Sequence, residues 1–271
     1  MKVRSRRGNL TNGEDENHEN GHCDDLEQKR ETHEQIGLTF LQCVVVISFH
    51  VFTFSLAVYA HHYVPATKST TNKSDFAEWR ARAHLQEITS YGRRPAGSYA
   101  NENQTVGYLL RALRSIKESS SEGIALDIDV QRPSGTFTLD FLEGFTSHYR
   151  NVSNVVARLS SKENYPAEHS VLVNAHFDTA FGGAGASDDA VSCAAMLEVI
   201  RCIAQSPTAH LHHSLVFLFN GAEENVLQAS HGFITQHRWA KDVRVFVNLE
   251  AAGAGKEVRR IHEVTKVTAC V

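Results

Sequence analysis

The sequence predicts an α/β fold: a three-layer sandwich with a mixed, mostly parallel central sheet, preceded by one transmembrane helix. Three near-continuous apolar runs, at residues 170–175, 214–219 and 243–249, have the composition of strands that are buried on both faces. Helical patterns at residues 189–204 and 226–239 separate these runs. Strand, helix, strand, helix and strand in succession is typical of a sheet covered by helices on both faces.

The membrane helix is predicted from the run Ile36 to Ala60, which contains no Asp, Glu, Lys or Arg. A hydrocarbon core of ~30 Å needs roughly 20 helical residues, so the run is long enough to span. A cleaved signal peptide fits less well, because the apolar region is too long and begins too far from the N-terminus. A buried soluble helix would carry more polar interruptions. We therefore expect an uncleaved anchor that contacts membrane lipid through residues 36–60.

The flanks of this run predict its orientation. Residues 1–35 hold almost no large apolar side chains, which is typical of a disordered tail. Six Lys and Arg residues lie in this tail, against Lys68 and Lys73 shortly after the span, and this bias favours a cytosolic N-terminus. Three Asn-X-Ser/Thr sequons follow the span and agree with a luminal, glycosylated part: Asn72, Asn103 and Asn151.

The amino-acid composition limits the classes of protein to which this chain can belong. A chain of 271 residues that is 42% hydrophobic can bury a sizeable core. The net charge of -4 is not typical of a nucleic-acid-binding protein, so no nucleic-acid partner is expected. Cys193 and Cys202 lie nine residues apart on one predicted helix, too far to form a disulfide. They are predicted to be buried small side chains.

The first half of the luminal part is predicted to form two helices and several strands. Apolar residues at helical spacing predict helices at residues 75–89 and 103–117, with a turn at Arg93–Gly97 between them. From Gly123 to Leu159 the alternation has a period of two, which indicates two or three strands followed by a further strand at residues 154–159.

One histidine and several acidic side chains follow the ends of the predicted strands. They are His176, Asp178, Asp188, Glu223, Glu224 and Glu250. Ligands in α/β sheets collect at the carboxyl ends of the strands, so these side chains are expected to meet. Without cations the carboxylates would repel one another. An imidazole with several carboxylates suits two zinc ions or, less well, manganese, and the sequence predicts such a centre.

Roles follow from the order of these residues. Asp188 is expected to bridge two metals, one bound by His176 and the other by Glu224, which leaves Glu223 as general base. Asp178 is expected to orient the His176 imidazole or the neighbouring backbone. Asp189 is left open between a metal-binding group and a carboxylate at a helix N-terminus.

Five segments together resemble the di-zinc aminopeptidase family that includes aminopeptidase Y and carboxypeptidase Q. They are His176–Asp178, Gly185–Ala190, Gly221–Glu224, Asn248–Glu250 and, upstream, Tyr91–Ser98. The resemblance implies a zinc-exopeptidase fold and two zinc ions. With the anchor, it implies a metallopeptidase, an aminopeptidase of the secretory pathway in the endoplasmic reticulum membrane, acting on peptide or protein substrates.

The resemblance also implies that His176 and Glu250 ligate separate metals and that Glu223 is the base. The family commonly has Asp at the position of Glu250, and it takes a last histidine ligand from far downstream. His262 is the only histidine after Glu250 and is not expected to replace that ligand. Weak or no activity is therefore expected of this chain.

The expected organisation after the anchor is a linker at residues 61–74, a partial zinc-peptidase domain at 75–255 and a divergent tail at 256–271. Two other functions remain open. One is a glutaminyl-cyclase-like acyl transferase, which the helix at residues 190–198 also resembles. The other is a non-catalytic, membrane-bound interaction domain.

Overall fold

The computed structural model describes residues 20–63, 72, 74–140, 144–165 and 169–251. The chain forms two units, Met1–Pro65 and Ala66–Val271, and the division lies within the predicted linker. The predicted divergent tail, with His262, lies outside the described residues. The boundaries expected for the peptidase domain remain a prediction.

The first unit contains one long helix, α1 (Asn20–His62). Within the described part of the chain, it supplies the one segment with the length and composition to cross a membrane, Thr39–His61. The predicted span is confirmed as a candidate. The helix begins earlier than expected, so the disorder predicted for residues 20–35 is corrected. Residues 27–31 are Glu, Gln, Lys, Arg and Glu, good helix formers that can extend an existing helix without the cost of a new nucleus.

The second unit is built on a five-stranded sheet. The strands among the described residues are β1 (Ile124–Gln131), β2 (Gly135–Leu139), β3 (Phe145–Tyr149), β4 (Asn154–Ser161), β5 (Ser170–His176), β6 (Ser214–Asn220) and β7 (Val243–Asn248). The sheet order is β1-β4-β6-β5-β7, and β2 pairs separately with β3. β5 is parallel to β6 and β7, whereas β4 is antiparallel to β1 and β6. The predicted mixed, mostly parallel sheet is confirmed.

Four α-helices in the described part of the second unit pack on the two faces of this sheet. They are α2 (Glu78–Ser90), α3 (Val106–Glu118), α4 (Val191–Gln205) and α5 (Gln228–Gln236). α4 begins two residues later than predicted, because Ala186–Ala190 forms a separate turn in which Asp188 and Asp189 have non-helical backbone angles. α5 is shorter than predicted, because Val226 and Leu227 adopt positive φ angles of 64° and 59° that end any helix there.

The core explains why the strands are apolar throughout. Phe217 and Phe219 of β6 pack in the cluster that includes α3 and α4, while Val216 and Leu218 pack with α5 on the other face. Successive side chains of a strand point to opposite faces, so a strand covered on both sides has no polar alternation. The three-layer arrangement is therefore confirmed.

A buried carboxylate ties the start of α2 to α4. Glu198 on α4 is fully buried and accepts hydrogen bonds from the backbone N–H of Ala77 (2.9 Å), Nε of Arg80 (3.0 Å) and Nε of Arg201 (2.7 Å). Burial alone would raise the pKa of Glu198, but the hydrogen bonds from Arg201 and Ala77 outweigh it, and the pKa is lowered.

Replacing Glu198 by Ala is expected to lower the free energy of unfolding at pH 7 by about 3 kcal/mol, because a buried N–H and two guanidinium groups lose their carboxylate. A carboxyl whose folded pKa is lowered stabilises the fold above its unfolded pKa of about 4.3, and this contribution disappears as the pH falls through the folded pKa. The difference between wild type and Glu198→Ala in urea unfolding should therefore shrink below about pH 4. The exposed Glu118→Ala is the control, and an equal loss in both variants would contradict the assignment.

Candidate metal centre

The sheet order brings the predicted residues together. β5 lies between β6 and β7 and is parallel to both, so the carboxyl ends of the three strands meet at one edge. His176 at the end of β5 pairs in register with Asn220 of β6, and Asn174 pairs with Asn248 of β7. The residues that follow β6 and β7 are therefore delivered to opposite sides of His176.

His176 is at the centre of the cluster. Its side chain is 1% exposed, and its Nε2 lies 2.9 Å from Oδ1 of Asp188, 3.6 Å from Oε1 of Glu250 and 3.8 Å from Oε2 of Glu223. Burial opposes protonation of this imidazole, but hydrogen bonds with Asp178 and Glu250 outweigh it and raise the pKa of His176 to about 11. The cluster thus favours a positive charge at this point.

Asp178 connects the histidine to the loop after β6. Its carboxylate is buried, and Oδ1 lies 3.3 Å from Nδ1 of His176. The same carboxylate accepts the backbone N–H groups of Glu223 (3.0 Å) and Glu224 (3.1 Å). These contacts fit the predicted orienting role, because a partner on Nδ1 fixes the ring and leaves Nε2 for a metal. They add a second role, since Asp178 also fixes the backbone of both glutamates.

The two aspartates of the turn before α4 have different surroundings. Asp188 is 53% exposed at the mouth of the cluster and contacts Nε2 of His176. Asp189 is fully buried, and its Oδ2 accepts the backbone N–H of His176 at 3.3 Å. Burial raises the pKa of Asp189 to about 7. This hydrogen bond ties Asp189 to the end of β5. The sequence had left Asp189 open between a metal-binding group and a carboxylate at a helix N-terminus.

The glutamates complete the site. Burial raises the pKa of Glu223 to about 7, and the nearby carboxylates of Glu250, Asp178 and Glu224 add to this shift. Oε1 of Glu224 accepts the backbone N–H of Ala180 at 3.0 Å. The carboxylates therefore lie close enough to repel one another, as expected of a site that binds cations.

The donor set fits metal ions. Ligand atoms of His176, Asp188 and Glu250 lie within 4.8 Å of one another, and so do those of His176, Glu223 and Glu224. Zinc takes this combination of imidazole nitrogen and carboxylate oxygen. The first group places His176 and Glu250 within reach of one ion, and the second places His176 with Glu224, so the expectation of separate metals for His176 and Glu250 stays a prediction.

Two buried polar side chains that hold the site were not identified from the sequence. Arg94 and Asn101 lie between α2 and α3, and both are fully buried. Arg94 contacts the loop after β5, and Asn101 contacts the loop after β6. Arg94 stands beside Arg93 in a turn with Pro95, and a sequence pattern does not indicate which of two adjacent arginines points inward. Asn101 lies in a short polar stretch with no motif of its own.

Comparisons with known proteins agree with this architecture. Residues 154–271 match the family described as Peptidase family M28. Endoplasmic reticulum metallopeptidase 1 of Homo sapiens is 54% identical over 184 residues, which cover 68% of this chain but 20% of that protein. This chain therefore spans about a fifth of the length of that curated relative.

Two solved structures are similar in fold. The LapA aminopeptidase of Legionella pneumophila has a TM-score of 0.51 at 18% identity, over 71% of this chain and 49% of that one. BSAP, a zinc aminopeptidase from Bacillus subtilis, has a TM-score of 0.50 at 13% identity, over 67% of this chain and 71% of that one. Likeness at these identities shows the fold alone.

Proposed function

Because the chain belongs to peptidase family M28, we propose that it is a membrane-anchored, zinc-dependent metallopeptidase, an aminopeptidase that hydrolyses peptide or protein substrates. The observation that carries the proposal is the convergence of one imidazole and four carboxylates on a single edge of the sheet. These donors follow β5, β6 and β7, which is where α/β folds bind their ligands.

Two zinc ions are proposed. His176, Asp188 and Glu250 would hold one, and Asp188 with Glu224 would hold the other. When bound, such ions polarise the scissile carbonyl and activate water. Asp178 keeps Nε2 of His176 directed at the site and fixes the backbone that presents Glu224.

Glu223 is the proposed general base. Its carboxylate lies 3.8 Å from Nε2 of His176 and is 26% exposed, so it borders the ligand cluster and is open to a substrate. Its backbone is fixed by Asp178, which leaves the carboxylate available for chemistry. In this role Glu223 takes a proton from the attacking water and gives it to the leaving amine.

Zinc titration tests the proposal. The purified 271-residue chain in detergent should bind two zinc ions of unequal affinity, because the described donors offer three ligands to the first site and two to the second. Competition with a chromophoric chelator would measure both constants. Chelation should remove any hydrolysis of aminoacyl substrates, and added zinc should restore it. No zinc binding at micromolar concentration would contradict the proposal, and one zinc with acyl transfer would favour the cyclase alternative.

The proposed location is the endoplasmic reticulum membrane, with the N-terminus cytosolic and the second unit luminal. The candidate span supports an anchor, and the sequon residues Asn72, Asn103 and Asn151 are all exposed. In cells, Asn→Gln replacement at these three positions should remove the mobility shift that endoglycosidase produces. Replacement of Asn9, in the sequon Asn9-Leu10-Thr11 on the other side of the span, should not change it. A glycan on Asn9 would reverse the proposed orientation.

A further inference from the structure

The segment that connects α2 to α3, residues 91–105, lies against the loops that carry the metal-binding side chains. It contributes none of the proposed ligands. Two of its side chains, Arg94 and Asn101, are nevertheless fully buried. A buried charge and a buried amide are costly unless hydrogen bonds replace the lost water, so the partners of these two groups are informative.

Arg94 binds backbone carbonyl groups on both sides of the site. Its Nε donates to the carbonyl of Phe177 (2.9 Å), which lies between His176 and Asp178. Its Nη1 donates to Ala184 (2.8 Å), and Nη2 is 3.5 Å from the carbonyl of Gly185, at the start of the turn that contains Asp188.

The remaining guanidinium contacts anchor Arg94 to its own segment. The carbonyls of Gly92 (2.7 Å) and of Ile88 in the last turn of α2 (3.2 Å) also lie within hydrogen-bonding distance of Nη1, whose two N–H groups are shared among three acceptors. The backbone of Arg94 makes two further bonds with Thr179: its N–H donates to Oγ1 (2.9 Å), and its carbonyl accepts the Thr179 N–H (3.1 Å). A planar guanidinium has five donors in a fixed arrangement, so it sets the spacing of the carbonyls that it joins.

Close packing at Gly185 limits how far the Arg94 guanidinium and the carbonyl groups that it binds can move. Gly185 has a positive φ of 55°, and a Cβ added there would lie 2.6 Å from the Asp188 carbonyl and 3.2 Å from Nη2 of Arg94. The loop after Asp178 and the turn before α4 therefore pack closely where they meet Arg94. A shift of the guanidinium would move the backbone next to His176 or Asp188.

Asn101 acts on the other loop. Its Nδ2 donates to the carbonyl of Gly221 (2.8 Å), two residues before Glu223, and is itself held by Oε1 of Glu102 at 3.1 Å. Gly221 has little freedom, because its N–H donates to the carbonyl of Ser153 (3.0 Å) and an added Cβ would lie 2.6 Å from Phe177.

We infer that Arg94 and Asn101 are positioning residues of the metal centre. Arg94 fixes the two loops that present His176, Asp178 and Asp188, and Asn101 fixes the turn that presents Glu223 and Glu224. The inference rests on the proposed function for the identity of the metal, but the positioning itself concerns the protein without metal. One short segment thereby couples the end of β5 to the end of β6.

The test compares zinc affinity and amide hydrogen exchange in the full chain in detergent. Arg94→Met should lower zinc affinity roughly 10- to 100-fold, the range found when partners of metal ligands are removed. In zinc-free protein, it should also speed exchange at residues 177–188. Asn101→Ala should lower zinc affinity and speed exchange at residues 221–224. Arg94→Lys keeps the charge without the planar fork, and it serves as the second variant if the Met variant does not fold.

Three controls separate positioning from general stability. Arg114→Met and Gln104→Ala alter exposed side chains and should leave zinc affinity unchanged. Leu113→Ala opens a cavity in the core under α3 and should lower thermal stability without lowering zinc affinity. Wild-type zinc affinity and exchange in the Arg94 and Asn101 variants would overturn the inference, as would an equal loss of affinity in Leu113→Ala. If the wild-type chain binds no zinc, the proposed function is contradicted. Amide hydrogen exchange in the zinc-free variants then still tests whether Arg94 and Asn101 position the loops.

Discussion

Glu223→Gln is expected to lower the hydrolytic rate of the zinc-loaded chain by about 10²- to 10⁴-fold, the contribution of a well-placed general base. Gln keeps the length and shape of the side chain, and the backbone N–H of residue 223 still binds Asp178. The amide cannot accept the proton of the attacking water at neutral pH. Zinc affinity should therefore remain close to that of wild type while hydrolysis is lost.

The adjacent Glu224 provides the matched comparison. Glu224→Gln removes a proposed metal ligand and should weaken the second zinc site. Fluorogenic aminoacyl substrates and the chelator competition would be applied to both variants. The rates would be followed over long time courses at high enzyme concentration. An unchanged rate in Glu223→Gln, or zinc loss equal to that of Glu224→Gln, would contradict the assignment of Glu223 as base.

His176→Ala is expected to remove the tighter zinc site. Loss of the one imidazole leaves Asp188 and Glu250 as two mutually repelling carboxylates, so zinc affinity should fall by roughly 100-fold or more. A ligand present at 100 times its dissociation constant stabilises a protein by about 2.7 kcal/mol, and this stabilisation should disappear. Thermal unfolding with and without zinc measures the effect.

The control for this variant is His212→Ala. His212 is exposed, lies in the histidine-rich loop before β6 and contacts the ring of His210, with centroids 4.9 Å apart. Its replacement should preserve the zinc-dependent shift in unfolding temperature. A His176→Ala protein that retains the full shift would show that zinc binds elsewhere.

The local pattern of the chain was enough to predict the sheet and the side chains at its edge. A continuous apolar run predicts a strand because a strand covered on both faces has no polar alternation. β5, β6 and β7 were predicted on that basis. The polar residues that follow such runs are expected at the carboxyl edge for the same topological reason. The helix ends were predicted less accurately. At Asp188 and Val226 the backbone angles depend on tertiary contacts.

By itself, the sequence determined the fold class, the candidate membrane span and the identity of the acids and the histidine that meet at the sheet edge, because these depend on composition and short-range periodicity. Only the tertiary structure showed which of these side chains are neighbours. The strand order places β7 beside β5, which brings Glu250 to His176, and no local pattern specifies that order. The same holds for Arg94 and for Asn101, whose contact with Gly221 joins residues 120 positions apart. Such contacts arise from packing across the whole unit, and a period of two or 3.6 residues carries no information about them.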